Sequence, residues 1–276
     1  MIQGFRVVYA IFAGRRKKME IQLRYVDALC ERGLVDEVHV WDMCANDVDR
    51  AWVQSLPYRI MTGARKGDWQ PFYRHYATRE DPSTVLIKAD DDIVCIDIDH
   101  FQQFIEFVIC HPEFYIVLPN IVNNGVCAYL QQQRGLFNLA LDLPAHNFGK
   151  LWSSPSLWLD LHAVFLDHPD EFAYDGHTII DAVNRASINF FAMLQSAYVR
   201  IFPHIGEYDE IDLNKKWLEK DKVVVHSMYV CHFSFCKQEE EEETEIRARS
   251  ATVLQGYDAL SREKCVNVLC NSDSCG

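Results

Sequence analysis

No apolar run in the 276-residue sequence approaches the length of about twenty residues that a bilayer demands. The stretch from Met1 to Phe12 holds an apolar run of roughly eight residues between Arg6 and Arg15, without a cleavage-site pattern. A soluble, non-secreted, cytoplasmic protein with no membrane insertion is expected. Basic residues are scarce: 27 Lys and Arg face 40 Asp and Glu, for a net charge of −13, and the nearest thing to a basic cluster is Arg15-Arg16-Lys17-Lys18. That cluster is too short to follow a nucleic-acid backbone, so nucleic acid is not an expected partner. The ten cysteines are scattered, and Cys95, Cys110, Cys127 and Cys231 sit inside apolar segments, as buried free thiols do. Cys265, Cys270 and Cys275 lack the paired CxxC of a zinc site, so neither a disulfide framework nor zinc is indicated. Internal repeats and long linkers are missing too, which leaves a single catalytic domain at 1–238 followed by an acidic helical extension and mobile Cys-containing tail at 239–276.

What the chain does have is enough apolar material, 49% of its residues, to bury a full core. Phe5 to Phe12 reads as a strand, Ala13-Gly14 as a turn, and Met19, Leu23, Val26, Leu29 and Cys30 as the apolar stripe of a helix ending near Gly33. Val38 to Trp41, ending on Asp42, and Arg59 to Met61 read as further strands. This β, α, β alternation predicts an α/β fold with a Rossmann-like, mostly parallel central sheet flanked by helices. A helix is expected from Pro71 to Thr78, another over Phe101 to Cys110, a strand over Phe114 to Leu118, and a buried amphipathic helix over Asp181 to Ser196. The segment beyond Asn124, with Trp152, Trp158, His146 and His162 among several prolines, reads as loop-rich. Val223 to Phe235 reads as strand, and the stretch to Lys264 as a charged, exposed helix.

The sharpest local feature is Lys88-Ala89-Asp90-Asp91-Asp92, directly after the apolar strand Thr84 to Ile87. Strand ends are where open α/β sheets bind ligands. Three adjacent carboxylates repel one another, and burying one without a partner costs several kcal/mol, so a cation or a row of donors is required. A hard divalent metal with phosphate ligands suits them. One Asp could merely cap a helix, but alternation along an extended segment turns Asp90 and Asp92 one way and Asp91 the other. Asp92 can then hold the metal while Asp90 accepts from a ribose hydroxyl. Lys88 either neutralises the cluster or snorkels from the strand.

Other signals are ambiguous in isolation. Ala13-Gly14-Arg15-Arg16 has one glycine where a dinucleotide fingerprint needs three; either these arginines meet a nucleotide's phosphates or they form a solvated helical turn. His232 lies in an apolar strand, where a core histidine is the ordinary occupant, and His226 competes with it as a ligand. Asp209 and Glu210 lie in a second acidic cluster that is either a helix cap or a general base. Trp152 and Trp158 offer flat faces to an acceptor sugar or simply pack.

Taken together, the segments 12–20, 33–41 and 88–94, His111-Pro112-Glu113, Asn120 to Asn123, Tyr208-Asp209-Glu210 and His232 to Phe235 resemble the metal-dependent glycosyltransferases of GT-A fold. More narrowly, they are similar to the capsid-glycan xylosyltransferase group of chloroviruses. The resemblance implies a GT-A type fold and makes Asp90 to Asp92 the DxD, with Asp92 and His232 on Mn²⁺ or Mg²⁺. It implies a nucleotide-sugar site formed by Ala13, Gly14, Arg15, Arg16, Trp41, Asp42, Lys88, Asp90 and Asp91. Asp209, assisted by Glu210, falls where the family's base stands. A UDP-sugar donor, sharpest as UDP-xylose, an oligosaccharide acceptor, inversion, and a host cytoplasm for a viral chain follow from the same likeness. From a different class, a metal-dependent phosphohydrolase or nucleotidyltransferase would need a second carboxylate set about 4 Å from the first. A sugar-binding module would need neither metal nor base.

Overall fold

The computed structural model describes all residues except 65–67, 78–80, 139–153, 175, 182–187, 207–208, 211, 214–221, 235–243 and 273–276. Trp152, Tyr208 and Cys275 therefore lie outside the described residues. One sheet organises the chain. Its strands are β1 (Arg6–Ala13), β2 (Glu37–Asp42), β3 (Arg59–Met61), β4 (Thr84–Asp90), β5 (Ile93–Ile96), β6 (Val117–Val122), β7 (His177–Asp181), β8 (Phe190–Leu194) and β9 (Lys222–His232). They run in the order β3-β2-β1-β4-β8-β6-β9-β5, with β7 paired to β9. The pairing directions put β1, β2, β3, β4, β6 and β9 parallel to one another, with β5, β7 and β8 reversed. This is the expected α/β architecture with a mostly parallel central sheet.

The helices are α1 (Arg16–Glu31), α2 (Asp47–Gln54), α3 (Gln70–Ala77), α4 (Phe101–Cys110), α5 (Gly125–Gln133), α6 (Pro155–Asp167), α7 (Gln195–Ile201) and α8 (Thr244–Ser272). The crossover from β1 to β2 shows how local sequence sets the layout. Met19, Val26 and Leu29 bury one face of α1, and Gly33, at a φ of +68°, stops it. Its N–H bonds the Cys30 carbonyl while Leu34 N–H reaches that of Leu29, closing the helix end with a left-handed residue only glycine adopts freely. The chain then returns as β2 in register with β1.

Several expectations are corrected. In the described part of the span Asp181 to Ser196, predicted as a helix, Asp181 ends β7, β8 inserts antiparallel between β4 and β6, and only Gln195 and Ser196 are helical, at the start of α7. Every residue of β8 is buried; its continuous apolar run is ambiguous between a buried strand and a buried helix. The stretch beyond Asn124 holds α5 and α6, with Asn124 and Ser154 as side-chain N-caps and Pro155 in the first turn. The strand expected at Phe114 starts at Val117.

The C-terminal helix forms, but it rests on the core instead of standing clear of it. Tyr257 and Ser261 are fully buried. Ser261 Oγ accepts from Arg24 of α1 at 2.6 Å, and Asp258 pairs with the same guanidinium at 2.7 Å. The Tyr257 hydroxyl lies 2.6 Å from Nδ1 of buried His162 on α6, whose Nε2 lies 2.9 Å from the Phe233 carbonyl. A neutral imidazole with one acceptor and one donor nitrogen fits both contacts. No helix among the described residues is long and apolar enough to cross a membrane.

Burial pushes the pKa of His162 down to about 3. His226, packed edge-on to Phe104 and near His177, is pushed down to about 4, again chiefly by burial. Between these values and the unfolded reference near 6.5, the unfolded chain binds protons that the folded chain refuses, so stability is complete above about pH 6.5 and falls below it. Each histidine contributes a slope of about 1.4 kcal/mol per pH unit in that window, before carboxylates join below about pH 4. Urea melts from pH 8 to pH 4 should show this decline, shallower in His226→Phe; a flat profile would contradict it.

Candidate active site

The parallel register of β1 and β4 places Phe12 beside Asp90, so the turn after β1 and the acids after β4 share one sheet edge. The C-terminus of β9 reaches the same edge, because the Phe233 N–H donates to the Asp92 carbonyl at 2.8 Å. Asp90, Asp92 and His232 each offer one ligand atom there, all within 4.8 Å of one another. Among the described residues this is the one group of three or more His, Cys, Asp or Glu side chains so placed. His226, packed among Phe104 and Phe107, is not in it.

The three acids find different partners. Asp91 is buried and turned toward the β1–α1 junction, where Arg15 donates from Nε and a terminal nitrogen to Oδ1 at 2.8 and 2.6 Å. Gly14 makes that approach possible: a Cβ there would stand 3.0 Å from Asp91 Oδ2. Asp92 is fully buried, with Oδ2 at 2.8 Å from Arg15 and 3.3 Å from His232 Nε2. Burial alone would raise its pKa, but Arg15, and after it His232, hold it well below the usual carboxylate range. Its Oδ1 is buried without a hydrogen-bond partner among the described residues, an arrangement that suits coordination of a cation. Asp90, partly exposed, pairs with the buried Lys88, which also donates to the Ile188 carbonyl at 2.8 Å and lies 4.8 Å from the Phe12 ring centre. Burial, opposed by Lys88, still leaves the Asp90 pKa raised.

Asn189, Asn123 and Tyr73, uncharged residues that carried no signal in the sequence, join the site alongside Lys18 and Asp209. Asn189, one residue before β8, places its side-chain nitrogen 3.0 Å from His232 Nε2. Asn123, at a φ of +64°, donates to the His232 carbonyl at 3.3 Å. Lys18 of α1 donates to Ser234 Oγ at 2.8 Å; burial, then repulsion from Arg15, pulls its pKa down to about 8. On α3, Tyr73 donates to Asp209 Oδ2 at 2.8 Å, stacks on Tyr198, and feels the charge of Asp90 as well as that of Asp209. Asp209 Oδ1 accepts from the Glu210 N–H at 2.8 Å, so the carboxylate is fixed on both sides.

The remaining candidates are dispersed. Asp42 lines a hollow of about 370 Å³ at the ends of β2 and β3, with Met43, Cys44, Arg50, Thr62 and Gly63. Ala13 borders that region through its carbonyl, which accepts from Met43 N–H. Trp41 is core: it is buried and its indole N–H donates to the Tyr76 hydroxyl at 3.1 Å. Arg16 pairs with Glu20 at 2.8 Å along α1. Trp158 is 1% exposed and packs edge-on against Phe233, so it presents no open face.

No family model matches the chain, and no curated protein matches it. Among solved structures, the chain is similar to a mycobacterial protein at 13% identity, over 92% of this chain and 74% of that one, with a TM-score of 0.45. It is similar to the glucosyl-3-phosphoglycerate synthase of M. tuberculosis at 13% identity, over 92% and 79%, with a TM-score of 0.41. A third similarity is to the 4-diphosphocytidyl-2C-methyl-D-erythritol synthase of Anaerococcus prevotii, at 9% identity over 91% and 97%, with a TM-score of 0.43. At such values the chemistry of this site is read from its own residues.

Partners that fix a metal-ligating histidine govern affinity by tens of fold. Titration calorimetry with Mn²⁺ should therefore show binding lost in Asp92→Asn and weakened about tenfold in Asn189→Ala, with the fold of both retained by circular dichroism. Unchanged affinity in Asn189→Ala would detach that amide from the site.

Proposed function

We propose that this chain is an inverting, metal-dependent glycosyltransferase of GT-A type that moves a sugar from a nucleoside diphosphate to a glycan hydroxyl. The observation that carries this reading is the cluster of Asp90, Asp92 and His232 at a sheet edge, with Asp92 Oδ1 buried and without a hydrogen-bond partner. Asp92 and His232 would hold a Mn²⁺ or Mg²⁺ ion. Bound there, the ion supplies Lewis-acid stabilisation of the charge that develops on the diphosphate leaving group.

The chain's own residues supply the rest. Asp90, steadied by Lys88, accepts from a ribose hydroxyl, and the hollow beside Asp42 has room for the base. Arg15 brings a guanidinium to the phosphate end of the donor, where its planar fork suits phosphate oxygens. Asp209, oriented by Tyr73, takes the proton of the acceptor hydroxyl as the acceptor oxygen bonds to the anomeric carbon and the bond to the diphosphate breaks. Attack from the face opposite the leaving group inverts that carbon. Glu210 orients the acceptor. Residues 1–238 form the catalytic unit in this reading, with 239–276 appended to it. The resemblance of the sequence segments makes UDP-xylose the preferred donor and a viral capsid N-glycan the acceptor, with transfer in the host cytoplasm. A two-metal phosphohydrolase is disfavoured, since the described residues hold one three-ligand group and no second.

Ligands that bind the folded state raise its stability, by about 2.7 kcal/mol at a hundred times Kd. In a thermal-shift panel of nucleotide sugars with Mn²⁺, UDP-xylose should give the largest rise, and withdrawing Mn²⁺ should remove most of it. No shift with any UDP-sugar would sink the donor assignment. Asp209→Asn should keep that shift while turnover drops by about 10²–10⁴-fold; an active variant would move the base elsewhere.

A further inference from the structure

Beside the acid cluster lies a second cleft, of about 590 Å³, between the start of α1 and the helices α6 and α8. Its two walls differ in chemistry. One carries Arg15, Arg16, Lys17 and Lys18, faced by Arg247 of α8, with Asp49 the one carboxylate among the described lining residues. The other is apolar, made by Trp158, Phe233, Ile246, Ala251 and Leu254.

Three observations point to an anion with an apolar body. First, α1 begins with basic residues at its first three positions, has no acid in its first turn and no side-chain cap. A helix N-terminus carries positive dipole charge and favours an anion; Arg15 already meets Asp91 and Asp92 and Arg16 meets Glu20, so Lys17 is the first-turn cation turned out to the cleft. Second, the indole N–H of Trp158 is buried and has no hydrogen-bond partner among the described residues, although Trp158 lines the cleft; a buried donor of this kind calls for an acceptor. Third, the apolar wall extends along α8, so a ligand supplying only charge would leave much of the cleft unmatched.

We propose that this cleft binds an amphiphilic phosphate, its head group at the N-terminus of α1 among Lys17, Arg16 and Arg247 and its apolar body against Phe233, Ile246 and Leu254. Because Arg15 both lines the cleft and holds Asp91 and Asp92, the bound head group lies next to the carboxylate cluster. The proposal concerns binding alone and does not rest on the sugar-transfer reading.

The probe is decyl phosphate below its micelle concentration, titrated by calorimetry into the whole chain without nucleotide sugar or added metal, with decanol and inorganic phosphate as comparators. One molecule of decyl phosphate should bind per chain, at least tenfold more tightly than either comparator. Arg247→Gln and Lys17→Gln, both exposed positions that leave the fold intact, should together weaken it about tenfold, and Leu254→Ser should weaken decyl phosphate while leaving inorganic phosphate unchanged. Trp158→Phe, which keeps the ring and removes the N–H, should cost a few-fold in affinity. Equal binding of decanol would overturn the anionic half of the proposal, equal binding of inorganic phosphate the apolar half, and affinities unchanged in all these variants the site itself. A UDP-sugar shift that persists while decyl phosphate fails to bind would separate this failure from that of the proposed function.

Discussion

Like-charge repulsion among Asp90, Asp91 and Asp92 is the constraint around which the rest of this structure is arranged. Carboxylates on consecutive residues at the end of a buried strand cannot all stay ionised without counter-charge close by. The fold supplies it from separate directions: Arg15 from the start of α1 to Asp91 and Asp92, Lys88 from within β4 to Asp90, and His232 from the end of β9 to Asp92. Each of these groups must arrive at the same sheet edge. That requirement links the β1–α1 turn, the β4 register and the β9 terminus into one electrostatic unit. It also bears on Gly14, since a Cβ there would press on Oδ2 of Asp91, the carboxylate whose other oxygen Arg15 holds.

Charge alone does not hold His232 in place; backbone contacts around residues 232 to 234 do. Phe233 N–H binds the Asp92 carbonyl, Asn123 reaches the carbonyls of His232 and Phe233, His162 reaches that of Phe233, and Lys18 holds Ser234. Through Tyr257 and His162, the C-terminal helix therefore has a direct mechanical connection to the strand that bears the candidate metal ligand. An extension that sequence patterning separates from the domain is part of what fixes its site.

The parts visible in the sequence are those with a periodic or charged signature. The apolar run of β4 followed by three acids, the β1, α1, β2 alternation and the Gly33 stop could all be read because hydrophobic period and turn chemistry are local. His232 became prominent only through resemblance, because nothing local distinguishes it from a core histidine. Asn189, Asn123 and Tyr73 were invisible for a different reason. Amides and phenols are common, and their roles arise from partners 43, 109 and 136 residues away. The misreading of β8 has the same origin: a strand buried on both faces has no alternation to reveal it. In α8 the few core contacts, Tyr257 and Ser261 among them, are diluted by charged residues along its length.

The balance of charge at the cluster bears on what it can accept. Three carboxylates meet the cations Arg15 and Lys88, and Lys18 acts on Asp91 and Asp92 as well. Arg15 occupies Oδ2 of Asp92 while Oδ1 has no hydrogen-bond partner, so a cation can use the second oxygen without first displacing the guanidinium. The depressed pKa of Asp92 keeps its carboxylate ionised, whereas burial leaves that of Asp90 raised. The difference between these two carboxylates thus follows from how many positive partners each has: Asp92 lies between Arg15 and His232, which outweigh its burial, whereas at Asp90 burial outweighs Lys88.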